Sequence, residues 1–96
     1  MQVRFRTEAA ADLESAKEWY GLKREGLDKD FLAEVERVLD LVAERPGAFP
    51  LVRPLVRRSL VRRFPYAVYY RVDEGFIDVI ACLHTRRSPS IWRSRR

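Results

Sequence analysis

The residues best suited to chemistry lie near the end of the chain. The stretch ACLHTRRSP, residues 81–89, holds the single histidine, His84, two places before the pair Arg86-Arg87. An imidazole carries a proton near neutral pH, and guanidinium groups hold phosphate oxygens in a planar fork. Together they are suited to phosphodiester cleavage. That reaction needs a base for the attacking 2′-hydroxyl, an acid for the leaving 5′-oxygen and a cation on the phosphate. Arg62, Arg71 and Arg86 are candidates for the phosphate grip. The sequence offers no ready second proton carrier, because arginine stays protonated; Asp78 or Tyr69 would have to serve. The other readings of His84 are a strand-end residue bonded to a neighbouring backbone or carboxylate group, and a plain binding contact.

Other catalytic arrangements are missing. There is no glycine-rich phosphate loop, no Cys/His spacing for a metal and no Ser/His/Asp order, so neither cofactor nor metal is expected. Glu14 and Glu18 stand four apart on a helix and read as a solvated face. The lone cysteine, Cys82, sits in the apolar run VIACL, excludes an internal disulfide and fits a reducing cytoplasm.

Charge is distributed unevenly over the 96 residues, whose net charge is +5. Residues 1–44 carry seven basic and eleven acidic side chains, a balance of −4. Residues 45–96 carry twelve basic and three acidic ones, a balance of +9, and all twelve are arginines. A polyanionic or acidic partner is therefore expected for the second half. In each pair Arg57-Arg58, Arg62-Arg63 and Arg86-Arg87, neighbours on a strand point to opposite faces, so at most half can act together. Arg57, Arg58, Arg62, Tyr69, Arg71, His84, Arg86 and Arg87 form the expected binding set, with Tyr69 able to stack on a base or a partner side chain. If the partner were nucleic acid, affinity would fall steeply with salt.

The elements that must position these groups follow from the apolar periodicity. QVRFR alternates as a short strand, with Val3 and Phe5 on one face. Thr7 is a natural N-cap for a helix carrying Ala9, Leu13, Ala16 and Tyr20 inward, stopping near Glu25-Gly26. Asp28 is a plausible cap for a second helix, with Phe31, Val35, Val38, Leu39 and Val42 as its stripe, broken by Pro46-Gly47. RPGAFPLVRP, with three prolines in ten residues, reads as an ordered loop. Strands are expected over 56–63, 66–72 and 76–84, the last two joined by Asp73-Glu74-Gly75. Ser88-Pro89 would start a helical turn anchored by Trp92.

The resulting order is β-α-α-β-β-β: a single α+β domain over 1–96, its αα-hairpin packed on one face of a curved, mainly antiparallel sheet. Strict alternation puts Ile77, Val79, Ala81 and Leu83 on the helix-covered face. It leaves Phe76, Asp78, Ile80, Cys82 and His84 on the open face, where His84, Tyr69 and Arg71 would share one basic surface. No apolar run is long enough to span a membrane and no secretory leader is apparent.

Four stretches in this order, VRFRTEAAADLESAKEWY, ERPGAFPLV, RRSLVRRFPYAVYYRV and VIACLHTRRSPSIW, resemble the RelE/ParE family of bacterial toxins over nearly the whole chain. The resemblance implies the toxin of a type II toxin–antitoxin (plasmid stabilisation) module, restrained by a small antitoxin that contacts operator DNA. It implies one of two activities: inhibition of DNA gyrase by binding, or cleavage of messenger RNA on the ribosome. In the second, Arg62, Arg71 and His84 would stand in for the catalytic set. No lysine follows Lys29 and no tyrosine follows Tyr70, departures from the nuclease pattern that place the chain nearer the ParE side.

Overall fold

The computed structural model describes residues 1–87 and 94–95. The turn expected at Ser88-Pro89 and its anchor Trp92 lie outside the described residues. The elements run β1 (Gln2–Phe5), α1 (Thr7–Lys23), α2 (Leu27–Glu44), a 3-10 turn (Pro46–Ala48), β2 (Leu51–Arg53), β3 (Val56–Leu60), β4 (Tyr66–Asp73) and β5 (Phe76–His84). Five strands form one sheet in the order β1-β5-β4-β3-β2, with β1 parallel to β5 and the other pairings antiparallel. The α+β class and the mainly antiparallel sheet are as the sequence predicts.

Both helix starts differ from the expected caps. Thr7 is already helical, and Arg6 is the cap residue, its carbonyl accepting from the Ala10 N–H at 2.9 Å. Asp28 lies inside the first turn of α2, where its charge suits the helix dipole. The cap there is Gly26, at φ 85°, a conformation that glycine adopts without a steric penalty.

The proline-rich segment contributes a strand that its composition concealed. Pro50 has no N–H, yet its carbonyl accepts from the Arg58 N–H at 3.0 Å, so Leu51–Arg53 pair as a short edge strand. Tyr70 anchors the preceding turn by donating its hydroxyl to the Pro46 carbonyl at 2.6 Å. Arg57 does the same for the Phe49 carbonyl at 2.7 Å.

The main core lies between the helices and the sheet. Ala9, Ala16 and Tyr20 of α1 and Phe31, Val35, Val38 and Val42 of α2 bury against Val68, Tyr70, Ile77, Val79 and Cys82. Tyr20, Phe31, Phe64 and Tyr66 meet in mutual ring contacts at 4.9–5.9 Å, a geometry that adds to the area buried.

One irregularity governs the rest of the molecule. Tyr70 pairs with Val79, but Tyr69 pairs with Ala81, so Ile80 is an extra residue in β5. This bulge reverses the facing of everything after it. Cys82 and His84 come to the helix-covered face, opposite Val68 and Tyr66. Ala81 and Leu83 turn to the other face, where they cluster with Ala67, Tyr69 and Ile80. The alternation expected from the sequence therefore holds for Ile77, Asp78 and Val79 and fails from Ala81 onward.

Candidate functional site

His84 stands at the end of β5, on the α1 side of the sheet. Its ring packs edge-on against Tyr66 at 5.5 Å between centroids. Its Nδ1 accepts the Arg86 backbone N–H at 3.1 Å, and its carbonyl accepts from the Arg87 N–H at 3.0 Å. The Thr85 N–H donates to Pro65 at 2.8 Å, tying this turn to the start of β4. The turn is therefore built from backbone bonds, and it carries Arg86 and Arg87 exposed at its surface.

Beside it a cleft of about 620 Å³ opens along α1, a volume in the range of ligand and peptide pockets. Ser15, Trp19 and Tyr20 form one wall; Pro65, Tyr66 and His84 form the other; Arg86 and Arg87 stand at its margin. Burial pushes the Tyr20 and Tyr66 hydroxyls above their ordinary range, so both stay protonated at physiological pH. Lys23 lies 4.6 Å over the half-exposed Trp19 ring.

Asp12, at the back of this cleft, was not singled out from the sequence. Its carboxylate accepts the Cys82 N–H at 3.0 Å and takes both ends of the Arg95 guanidinium. Arg95 also donates to the Ile80 carbonyl at 3.3 Å. β1 pairs with β5 only as far as Val79, so the edge of β5 beyond it is left open, and these two side chains satisfy its Cys82 N–H and Ile80 carbonyl. The signal available in the sequence was spacing: Asp12 falls three after Ala9 and four before Ala16, which puts a charge on the edge of the apolar stripe.

The expected surface shared by His84, Tyr69 and Arg71 does not form, because the bulge puts the sheet between His84 and the other two. Tyr69 is buried in the far-face cluster, so no exposed ring is available for stacking. Asp78 and Arg71 lie on that far face too, within an ion-pair network. Arg6 grips both Asp78 oxygens at 3.1 and 2.8 Å, and Arg71 reaches Asp78 at 3.4 Å and Asp73 at 3.2 Å. Hydrogen bonding to Asp78 raises the Arg6 pKa further. The Glu74 N–H and then Arg71 hold the Asp73 carboxyl below its ordinary range.

The remaining arginines divide by place. Arg57 points to the helix side and serves the loop carbonyl, while Arg58 is opposite Tyr69 on the far face. Arg62 is exposed in the β3–β4 turn, at the same end of the sheet as Arg86 and Arg87. Among the described residues, Arg58, Arg62, Arg86 and Arg87 make no ion pair. Among the described residues no group of three or more His, Cys, Asp or Glu side chains is placed to hold a metal, and no helix is long and apolar enough to cross a membrane.

The sequence pattern of the ParE toxin of type II toxin–antitoxin system, parDE, matches residues 3–89. The chain belongs to the ParE toxin family. A solved chain described as the chromosomal ParDE TA system from P. aeruginosa is similar to this ParE-family chain at a TM-score of 0.64. The two are 23% identical, and the match covers 88% of this chain and 95% of the other, a likeness of fold. No curated protein sequence matches it significantly. The β-α-α core, the arginine-rich strands and the β5 end with its cleft all fall inside the matched residues.

Proposed function

We propose that this chain is the toxin of a two-component module, restrained by a cognate antitoxin, and that it stops growth by binding DNA gyrase rather than by cutting RNA. Family membership over residues 3–89 supports the toxin role. The similar solved chain comes from a system described as ParDE, which supports a partner of the antitoxin kind.

One observation carries the choice of binding over cleavage: the hydroxyl-bearing ring beside His84 is that of Tyr66, whose pKa burial pushes up, making it a poor proton carrier near neutral pH. The groups the sequence offered, Asp78 and Tyr69, lie across the sheet. Asp78 is committed to Arg6 and Arg71. Nδ1 of His84 is already an acceptor for backbone, which leaves the ring one nitrogen for chemistry. General acid–base cleavage needs two positioned proton-transfer groups, whereas binding needs only the shape and charge of the arginine-bearing surfaces.

Inducing the wild-type chain and His84→Ala in a bacterium lacking the antitoxin tests this reading. Growth arrest with filamentation and DNA-damage signalling, retained in His84→Ala, is expected. Rapid loss of translation with cut messages, abolished by His84→Ala, would replace it with a ribosome-dependent endoribonuclease using His84 with Arg62 or Arg71.

A further inference from the structure

The β2–β3 hairpin has a corner that is built at a cost. Pro54 and Leu55 form the two-residue turn between Arg53 and Val56, and Leu55 adopts φ 68°. Proline suits the first corner of such a turn, but the second requires positive φ and is normally Gly or Asn. A leucine there is strained by its own Cβ, and its side chain recovers nothing by burial, being 74% exposed. Strain held in place without a packing return marks a residue kept for contact with something else.

The surroundings agree. The hairpin also exposes Leu51 and Leu60 by more than half, so three of the chain's large exposed apolar residues sit within ten positions. It carries Arg53, Arg57 and Arg58 and no acidic residue; none occurs anywhere from 45 to 72. At the same end of the sheet Asp73 is held by Arg71, which leaves Glu74 as the other acid of the β4–β5 turn. The hairpin thus presents a projecting leucine on a basic element.

We propose that Leu55 at the tip of this hairpin is the anchor through which the chain grips its protein target, and that the target presents an apolar pocket rimmed by carboxylates. A central apolar anchor with charges around it is the usual arrangement of binding energy at protein interfaces. This deepens the reading of the chain as a toxin that acts by binding.

The strain supplies the test, because Leu55→Gly removes the side chain while relaxing the backbone. Relief of strain and the greater freedom of the unfolded glycine chain oppose each other, so the melting midpoint should stay within about 3 °C of wild type. Purified gyrase holoenzyme in a supercoiling assay is expected to need roughly 10- to 100-fold more Leu55→Gly than wild type for half-inhibition. Leu55→Asn, also compatible with positive φ, should behave alike. Leu22→Ala, at the exposed end of α1, should match wild type, and the affinity for the cognate antitoxin should be unchanged in all three.

Full inhibition by a folded Leu55→Gly would overturn the proposal. So would a loss of antitoxin affinity with inhibition intact, which would assign the hairpin to the antitoxin. A wild-type chain that fails to inhibit gyrase rejects that target alone. The hairpin is then judged by growth arrest, and arrest surviving in Leu55→Gly rejects it.

Discussion

Asp12 holds the position on which the cleft depends. Its side chain and that of Arg95 are 11% and 15% exposed, close enough to buried that losing one partner leaves a desolvated charge behind. It also satisfies the Cys82 N–H, so Asp12→Ala removes two interactions at once. Stability by urea denaturation should fall by about 2–4 kcal/mol; a loss under about 0.5 kcal/mol, the size of an exposed pair, would contradict this account. The neighbouring Cys82 makes a second prediction. Burial, and then the nearby Asp12 charge, push its thiol up to about 12. The thiolate is the reactive species, so labelling by a disulfide reagent at pH 8 should be at least about 100-fold slower in the folded protein than in urea. The folded-state pKa lies above the ordinary one. Its contribution to stability is therefore complete below the ordinary thiol pKa and is lost as pH climbs towards 12. Cys82→Ala should flatten that alkaline limb in denaturation curves taken at rising pH.

The decisive element is the bulged strand β5. Deleting Ile80 would restore regular pairing and leave Ala81, Cys82, Leu83 and His84 on the faces they occupy now, because Val79 opposite Tyr70 would be followed directly by Ala81 opposite Tyr69. It would remove the buried Ile80 side chain and the carbonyl that accepts from Arg95. The deletion variant should lose about 2–4 kcal/mol in urea denaturation while Cys82 stays protected from labelling; a Cys82 thiol that labels readily in the folded variant would mean that the register slips instead of the bulge closing. The β2 region tests a milder point. Tyr70→Phe keeps the ring against Phe49 but leaves the buried-side Pro46 carbonyl without its 2.6 Å donor. A loss of about 1 kcal/mol is expected in the same assay. The helices and three longer strands were legible because each carries an apolar row at its own period, β5 carrying two. β2 was not, since three residues between prolines carry no period and gain their strand only from β3.

At the scale of the whole molecule, charge is separated by element rather than gathered on one face. The helices carry most of the acid, while the arginines sit on the strands and their turns. The bulge and the ion pairs then divide those arginines between the hairpin, the β3–β4 turn and the margin of the cleft. Such a molecule offers basic side chains to an acidic partner at more than one place. Its association rate with an antitoxin should fall as ionic strength rises from about 0.05 to 0.5 M, while dissociation changes less. Stopped-flow measurement across that range would show the reverse if apolar contacts alone set the encounter.

The amino-acid sequence alone determined the helix pair, the three longer strands, the concentration of arginine after residue 44 and the resemblance to a toxin family. Each is written in local spacing or in a chain-wide order of segments. The side of the sheet that His84 occupies was decided by the tertiary structure. In the run VIACL both alternating rows are apolar, so either facing satisfies the pattern, and nothing in it marks Ile80 as the extra residue. Only the pairing of β5 with β4, and the carboxylate that α1 brings to the Cys82 N–H, selects one of them. That selection separates the histidine from Tyr69, Arg71 and Asp78 and turns an apparent catalytic cluster into two distinct surfaces.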